Sequence, residues 1–370
     1  MTAVALLLML SLILASSRAS GEDKGKKATR EVLYGAPADT RINTFPVMDI
    51  DRATGGFVNV FNVNAPPPFL CSGGAAAVGT QFLYVSLPPG CQNTSSEIIG
   101  YSLQPHTGAP VALNGSPFPM RAGSIPSGMA ALPNGNLLYV ADASGSIAAF
   151  AVDSSTGALK EIHGSPFKSG ANLQLVIDPS GKYLYASDDE FSGGVLAFSI
   201  GAGGRLTRVP GSPFLIPGKT VSNYQPFGIV DTGKYVYTAL SATNQIAGFS
   251  VNAENGALTP LPGLFSTGNG PGPLAWSGNF LYTVNQLDGT ISGYSIDGNS
   301  GALTVVPGSP FGTNGALITI DFTRKYLYLS MERGVQGFNI DPTTGALSQG
   351  PGVHDNNGVL WLTVAQVPTH

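Results

Sequence analysis

The feature that most constrains the fold of this chain is a short motif that recurs seven times. A strand core ending in Leu-Tyr or Val-Tyr recurs at intervals of 45 to 55 residues, with its tyrosine at Tyr34, Tyr84, Tyr139, Tyr185, Tyr237, Tyr282 and Tyr328. A turn glycine, mostly within Thr-Gly-Ala-Leu or a close variant, recurs on a similar period at Gly55, Gly108, Gly157, Gly204, Gly256, Gly301 and Gly345. Since two separate markers both count seven, the chain is predicted to consist of seven structural repeats.

Each repeat is predicted to form four short antiparallel strands. In the best-preserved repeat, the β-rich runs 173–178, 183–187 and 194–200 are followed by a shorter run at 205–209. Asp-Pro-Ser-Gly between the first two runs suits a tight turn, and Thr-Gly or Asn-Gly before the fourth run is typical of hairpins. No segment shows a sustained 3.6-residue period, which excludes a helical solenoid. Four strands in each of seven repeats predict an all-β fold, the seven-bladed β-propeller.

The two ends of the chain predict how the ring closes. The first repeat begins with Val32-Leu33-Tyr34, which corresponds to a second strand, so its innermost strand is missing. The last apolar run, 359–367, has no later strand of its own repeat with which to pair. The C-terminal strand is therefore expected to complete the N-terminal blade, which removes two exposed sheet edges. The propeller domain is predicted to span residues 31–370.

The composition excludes several other classes of protein. Only 11% of the residues are charged while 43% are hydrophobic, and a disordered chain requires the opposite balance. The 49 glycines and 28 prolines suit many short strands joined by turns. The net charge is −4, and five of the 18 basic residues lie in the first thirty positions: Arg18, Lys24, Lys26, Lys27 and Arg30. Because the repeats carry no basic stripe, nucleic acid is not expected as a partner.

The N-terminal segment is typical of a targeting signal. Residues 3–15 form an apolar run, which the small residues Ser16, Ser17, Ala19 and Ser20 follow. The run is shorter than the roughly 20 residues that a membrane span requires, and it resembles the core of a secretory signal peptide. We expect a signal peptide over 1–20, a flexible polar tether over 21–30, and no membrane span after signal removal. The mature protein is then expected to be secreted or periplasmic, with an uncleaved anchor as the alternative.

The two cysteines, Cys71 and Cys91, lie on either side of the first hairpin of the second repeat. Their positions are nearly symmetrical about the turn predicted at 79–81, and an exported protein folds in a compartment that permits disulfides. None of the four histidines lies at zinc-motif spacing from either cysteine. A disulfide between Cys71 and Cys91 is therefore predicted, and neither a metal nor another cofactor is expected.

One face of the ring is predicted to carry the binding site. In a propeller the first strand of each blade starts, and the second ends, near the same mouth of the central channel, where loops often carry function. We call this side the channel face. The ligand-binding candidates predicted there are Asp142, Asn172, Asp188, Glu190, Gln225, Asn285, Gln286 and Glu332. Arg333 adds a cation to this otherwise polar and mildly acidic face.

The stretches GKYLYAS, GVLAFSI and GGRLTRVPGSPF, with their copies in other repeats, resemble the lactonase-type seven-bladed propellers. That family includes bacterial 6-phosphogluconolactonase and the fungal carboxymuconate lactonising enzyme, and the resemblance extends over 31–370. Family enzymes carry Asn-Glu-Leu where this chain has Asn285-Gln286-Leu287, so an amide replaces an acid. Their inner-strand histidines correspond to 172–174 and 224–226, which contain no histidine. Their Asn-Arg-Gly corresponds to 332–334, so the resemblance implies that Arg333 is retained.

These observations lead to three functional hypotheses. The first is a monomeric module that binds a small molecule, a glycan or a protein at the channel face. The alternative is a lactone hydrolase of the 6-phosphogluconolactonase type. In that enzyme Arg333 donates to the carbonyl oxygen, and Asp188 or Glu190 replaces the missing base. The third is a structural propeller at the cell surface. Because fold alone does not imply activity, the sequence leaves open whether the chain is an enzyme.

Overall fold

The computed structural model describes residues 29–37, 44–64, 74–89, 95–170, 172–188, 193–217, 226–353 and 359–369. Within these ranges the chain forms 33 β-strands and one short 3-10 turn, Ala202–Gly204. None of the described residues belongs to a helix that could cross a membrane. The predicted signal peptide, most of the predicted tether, and both Cys71 and Cys91 lie outside the described residues. The strands assemble into seven sheets, which confirms the predicted seven-bladed β-propeller.

Six of the seven blades are built from consecutive strands, with the first strand innermost and the fourth outermost. From the channel outwards, blade 2 contains β4 (Gly74–Val78), β5 (Phe82–Leu87), β6 (Glu97–Leu103) and β7 (Pro110–Ala112). Blade 3 contains β9 (Pro126–Ala131), β10 (Leu137–Asp142), β11 (Ser146–Val152) and β12 (Leu159–Glu161). Blade 4 contains β14 (Asn172–Ile177), β15 (Tyr183–Asp188), β16 (Gly194–Ile200) and β17 (Leu206–Arg208). Blade 5 contains β19 (Pro226–Asp231), β20 (Tyr235–Leu240), β21 (Gln245–Val251) and β22 (Leu258–Pro260). Blade 6 contains β24 (Pro271–Ser277), β25 (Phe280–Asn285), β26 (Thr290–Ile296) and β27 (Leu303–Val305). Blade 7 contains β29 (Gly315–Ile320), β30 (Tyr326–Met331), β31 (Gly334–Ile340) and β32 (Leu347–Val353).

The Gly-Ser-Pro-Phe motif interrupts the outer edge of several blades. Beyond it, a two-residue strand pairs with the third strand of the same blade: β8 (Phe118–Pro119), β13 (Phe167–Lys168), β18 (Phe214–Leu215), β23 (Phe265–Ser266) and β28 (Phe311–Gly312). In all four intact copies the serine hydroxyl accepts a hydrogen bond from a third-strand amide, as Ser116 Oγ does from Gly100 N at 3.0 Å. The motif therefore lets the outer chain bend away while the third strand stays hydrogen-bonded.

Blade 1 joins the two ends of the chain. It contains β1 (Thr29–Pro37), β2 (Thr44–Ile50), β3 (Phe57–Asn64) and, as its innermost strand, β33 (Val359–Pro368). β33 pairs antiparallel with β1 along its length, with Leu33 opposite Val364. The predicted closure is thus confirmed, although β1 begins at Thr29, two residues before the predicted start of the domain.

The two sequence markers of the repeat are hydrogen-bond partners in neighbouring blades. Each landmark tyrosine is completely buried, and its hydroxyl donates to the carbonyl oxygen of the landmark glycine of the next blade. The series runs from Tyr34 to Gly108 in blade 2 and ends with Tyr328 of blade 7, which donates to Gly55 of blade 1. Apolar clusters fill the space between adjacent blades, so the core is a ring of seven interfaces. This rigid ring positions the loops of the channel face.

Candidate functional site at the channel face

Three of the predicted site residues occupy equivalent positions in blades 3, 4 and 6. Asp142, Asp188 and Asn285 each end a second strand, three residues after the landmark tyrosine, and all three are buried. Asp142 Oδ1 accepts hydrogen bonds from the backbone amides of Ile125 (2.8 Å) and Ser144 (2.9 Å), and Oδ2 accepts one from a hydroxyl, Ser146 Oγ (3.2 Å). The Asp142 carboxylate therefore ties together the two channel-face loops of blade 3.

Asn285 makes similar contacts in blade 6. Its Nδ2 donates to Thr290 Oγ1 and to Ser292 Oγ, both at 2.8 Å, so the amide holds the start of β26. The Oδ1 atom of Asn285 is buried and has no hydrogen-bond partner among the described residues. Asp188 pairs with the backbone of Asn172 between the first two strands of blade 4. The other predicted candidates of blades 4 and 5, Glu190, Gln225 and the Asn172 side chain, lie outside the described residues.

Gln286 bridges blades 6 and 7. Its backbone amide donates to Gly270 O at 2.9 Å, and its side-chain Nε2 donates to Ala316 O, in the innermost strand of blade 7, at 3.2 Å. The side chain lies directly over Gly272, where a Cβ atom would approach the Gln286 amide to about 3.0 Å. This amide, which stands in the place of the family's acid, thus links two blades and cannot act as a base.

Glu332 and Arg333 form the two-residue turn between β30 and β31, where Met331 pairs with Gly334. Both side chains are exposed at the channel face. Within the described part of the chain, the Arg333 guanidinium makes no hydrogen bond or ion pair. A carboxylate and a guanidinium are therefore presented side by side on a tight hairpin, with their polar atoms available to a ligand.

A chain of polar side chains connects the loops of blades 5 and 6. Asn244 Nδ2 donates to Asn269 Oδ1 at 2.8 Å, and Asn269 Nδ2 donates in turn to Asp288 Oδ1 at 2.7 Å. Asn244 and Asp288 lie at this face in the loops that follow second strands. The sequence does not single out Asn269, because a Gly-Asn-Gly segment predicts only a turn. Only the approach of two loops shows that the Asn269 and Asp288 side chains meet.

The opposite mouth of the channel contains an unusual buried acid, Asp231. Asp178, its counterpart in blade 4, accepts hydrogen bonds from Lys182 N (2.7 Å) and Tyr183 N (2.6 Å). The equivalent turn of blade 5 is one residue shorter, and Thr232 Oγ1 accepts from Tyr235 N in place of the carboxylate. Asp231 therefore receives a bond only from Gly233 N (2.6 Å), and its Oδ2 atom is buried without a partner in the described structure.

Burial raises the pKa of Asp231 to about 7, and the nearby charge of Asp178 adds to the effect. Asp231 lines a recess of about 60 Å³ together with Asp321 and Trp276, whose ring is stacked by the Arg324 guanidinium at 3.9 Å. No group of three or more His, Cys, Asp or Glu side chains suited to a metal occurs among the described residues.

Comparison with known proteins places this ring among characterised folds. Residues 175–316 match the family model described as lactonase, 7-bladed β-propeller. No curated protein shows a significant match to the sequence. A solved Bacteroides uniformis structure, provisionally described as a 6-phosphogluconolactonase, is 19% identical over 92% of this chain and 99% of that one, with a TM-score of 0.75.

Two further solved structures have the same architecture. The Pseudomonas aeruginosa periplasmic gluconolactonase is 19% identical over 93% of this chain and all of its own, with a TM-score of 0.70. A protein from Lactobacillus plantarum is 18% identical over 91% of this chain and 99% of that one, with a TM-score of 0.72. At these identities the likeness establishes the fold of the whole ring.

Proposed function

Because residues 175–316 match the family of lactonase-type seven-bladed β-propellers, we propose that the chain is a lactone hydrolase whose active site lies at the channel face. Hydrolysis of a lactone requires a base that activates water and a donor that stabilises the negative charge developing on the carbonyl oxygen. We assign the donor role to Arg333. Its guanidinium carries a positive charge and five N–H donors in a planar fork.

The observation that carries this proposal is the Glu332–Arg333 turn. On this exposed hairpin Arg333 bonds to no other described group, so no fixed partner occupies its N–H donors. Its donors are thus free to bind a carbonyl oxygen or a carboxylate at the mouth of the channel. The resemblance to family enzymes matches Arg333 to their arginine, whereas the Asp142 carboxylate and the Asn285 Nδ2 atom are already hydrogen-bonded within their own blades.

The family match supports hydrolysis more than it supports a module that binds without turnover. Of the solved structures similar to this chain, the Bacteroides uniformis protein is provisionally described as a 6-phosphogluconolactonase, and the Pseudomonas aeruginosa protein is described as a gluconolactonase. Lactones of sugar acids are therefore the first substrates to test. We also propose that the protein is exported, on the basis of the apolar run at 3–15 and the signal-like residues that follow it.

The test is to measure acid release from a panel of aldonic, alkyl and aryl lactones at constant pH with the purified protein. Arg333→Ala is expected to lower kcat by about 100- to 1,000-fold, the effect typical of removing one donor to an oxyanion. Lys325→Ala is the matched control, since Lys325 is an exposed cation in the turn at the opposite mouth. A protein that binds lactones or glycans saturably in calorimetry, with no turnover of any of them, would show a binding module instead.

A further inference from the structure

We propose that Asp288 is the general base of this site, and that Asn269 and Asn244 are positioning residues that hold its carboxylate. The inference rests on the proposed lactone hydrolysis and supplies the base that Gln286 cannot provide. It concerns three residues that lie outside the positions matched to family motifs and that only the loop arrangement of blades 5 and 6 brings together.

The Asp288 carboxylate is held by two hydrogen bonds from a single residue. Asn269 N donates to Oδ2 at 2.5 Å, and Asn269 Nδ2 donates to Oδ1 at 2.7 Å. Each carboxylate oxygen accepts one of these bonds, and each retains a further acceptor site for a water molecule or a substrate hydroxyl. The bidentate contact restricts rotation of an otherwise exposed side chain. Glu332, the nearest alternative base in the Arg333 turn, has no such contact within the described residues.

Asn269 is itself held from the neighbouring blade. Asn244 accepts a hydrogen bond from Gly270 N through Oδ1 (2.8 Å) and donates to Asn269 Oδ1 through Nδ2 (2.8 Å). The backbone of Asn244 has φ +58°, a left-handed conformation that few residues other than glycine and asparagine adopt. Asparagine at this position therefore combines a tolerated backbone conformation with a side chain that holds both the Asn269 side chain and the backbone amide of Gly270.

The Asp288 loop is connected to the Arg333 turn through one intervening segment. Gly289 O accepts hydrogen bonds from Thr313 N and Asn314 N, both at 2.8 Å. The next residue, Gly315, begins β29 and pairs with Met331, which immediately precedes the Glu332–Arg333 turn. The proposed base and the proposed donor thus belong to successive loops around the same mouth. Between Gln286 and Asp288, the Leu287 side chain is 80% exposed and offers an apolar contact to the carbon framework of a substrate.

The proposed reaction balances with these groups and water. Asp288 accepts a proton from water while the water oxygen bonds to the lactone carbonyl carbon, and the carbonyl oxygen becomes an oxyanion facing Arg333. When the tetrahedral intermediate collapses, the ring C–O bond breaks and the leaving alkoxide takes the proton from the Asp288 carboxyl. The product is a hydroxy acid, and the enzyme returns to its starting state.

The first experiment compares kcat, KM and pH–rate profiles of full-length variants on the best lactone of the panel. Asp288→Asn is expected to lower kcat by about 100-fold or more and to abolish the acidic limb of the profile, because an amide cannot accept the proton. Asp288→Glu is expected to restore part of the activity. Asp297→Asn is the matched control: Asp297 also accepts backbone hydrogen bonds (Ser300 N, 2.7 Å), but at the opposite end of β26.

The second experiment tests the positioning residues. Asn244→Gly keeps the left-handed backbone available, and Asn269→Ser removes one donor to Asp288. Each is expected to lower kcat by roughly tenfold with KM unchanged, and to have no further effect in the Asp288→Asn background, as expected for residues that act through one another. Equal losses in both backgrounds would show that these asparagines only stabilise the loops.

The two proposals fail in different ways. Near-normal kcat and an unchanged pH profile in Asp288→Asn, with activity lost in Arg333→Ala, would overturn the assignment of the base and leave lactone hydrolysis standing. A wild-type protein without turnover on any lactone of the panel would overturn both. Circular dichroism and melting temperatures of each variant establish that a loss of activity does not come from unfolding.

Discussion

The hydroxyl of Tyr328 in blade 7 donates a hydrogen bond to the carbonyl oxygen of Gly55 in blade 1, at 2.9 Å across the point where the ring closes. The same bond recurs at the six other blade interfaces, so the two markers of the sequence repeat are chemical partners. Burial raises the pKa of Tyr328 far above its usual range, so the hydroxyl remains a donor at any pH at which the protein is folded.

Replacing Tyr328 with phenylalanine is expected to lower the free energy of unfolding by about 1–3 kcal/mol, because the Gly55 carbonyl is left without its buried donor. Urea unfolding followed by tryptophan fluorescence measures the difference. Tyr183→Phe is the control, since its hydroxyl bonds to Glu254 O in a partly solvated place where water can replace it. A loss at Tyr328 no greater than at Tyr183 would contradict a special role for the buried bond.

Gly55→Ala is expected to destabilise the protein more than Gly79→Ala does. Both glycines have positive φ (+68° and +59°), so both substitutions incur the backbone cost of about 1–2 kcal/mol. A Cβ atom at Gly55 would also overlap the Tyr326 ring, whereas one at Gly79 would meet nothing within 4 Å. Overpacking should add about 1–3 kcal/mol at Gly55 alone. Equal shifts of the unfolding midpoint in the two variants would count against the packing argument.

Deletion of residues 359–370 is expected to unfold or aggregate the protein. It removes the innermost strand of blade 1 and leaves the edge of β1 unpaired, next to a channel that is no longer closed. Size-exclusion chromatography and thermal unfolding measure the outcome. Addition of a synthetic peptide of residues 359–368 is expected to recover part of the soluble monomer, because it supplies the missing strand in trans. A truncated monomer with an unchanged melting curve would refute closure by β33.

Asp231→Asn is expected to stabilise the protein at pH 8 more than at pH 4. The folded-state pKa of Asp231 is raised from 3.8 to about 7, so the folded chain holds a proton that the unfolded chain has released in this window. The stability contributed by Asp231 is therefore complete below pH 4 and is lost as the pH rises to 7. Removing the titrating group is expected to recover up to about 4 kcal/mol between these limits.

The control for this pH dependence is Asp321→Asn in the equivalent turn of blade 7. The Asp321 carboxylate accepts hydrogen bonds from Lys325 N (2.9 Å) and Tyr326 N (2.8 Å), so an amide should weaken this turn rather than relieve it. Urea unfolding at pH 4, 6 and 8 compares the two variants with the wild type. A difference between Asp231→Asn and wild type that stays constant over this range would show that Asp231 is ionised in the folded protein.

The architecture follows from the sequence because the repeat is periodic and its turns are local. Thr-Gly or Asn-Gly before a short strand sets each hairpin, and nearly continuous apolar runs in the second strands fill the space on both faces of a blade. The missing first strand at Val32–Tyr34 and the surplus strand at 359–367 then leave one way to pair all the edges, which the pairing of β1 with β33 confirms. The disulfide between Cys71 and Cys91 remains a prediction.

The site depends on contacts between loops that are distant in sequence, and local rules do not reach them. The sequence shows that Gln286 stands in the place of an acid, but only the ring places its amide against Ala316 of the next blade. Asp231 ends β19, and only the packed turn leaves one of its carboxylate oxygens buried without a partner among the described residues. The sequence by itself thus determined the number, order and closure of the blades. The tertiary structure decided which polar groups are hydrogen-bonded inside the ring and which ones, such as Asp288 and Arg333, are exposed at its mouth. The reason is that hydrogen bonds between blades depend on distances between repeats, which no single repeat contains.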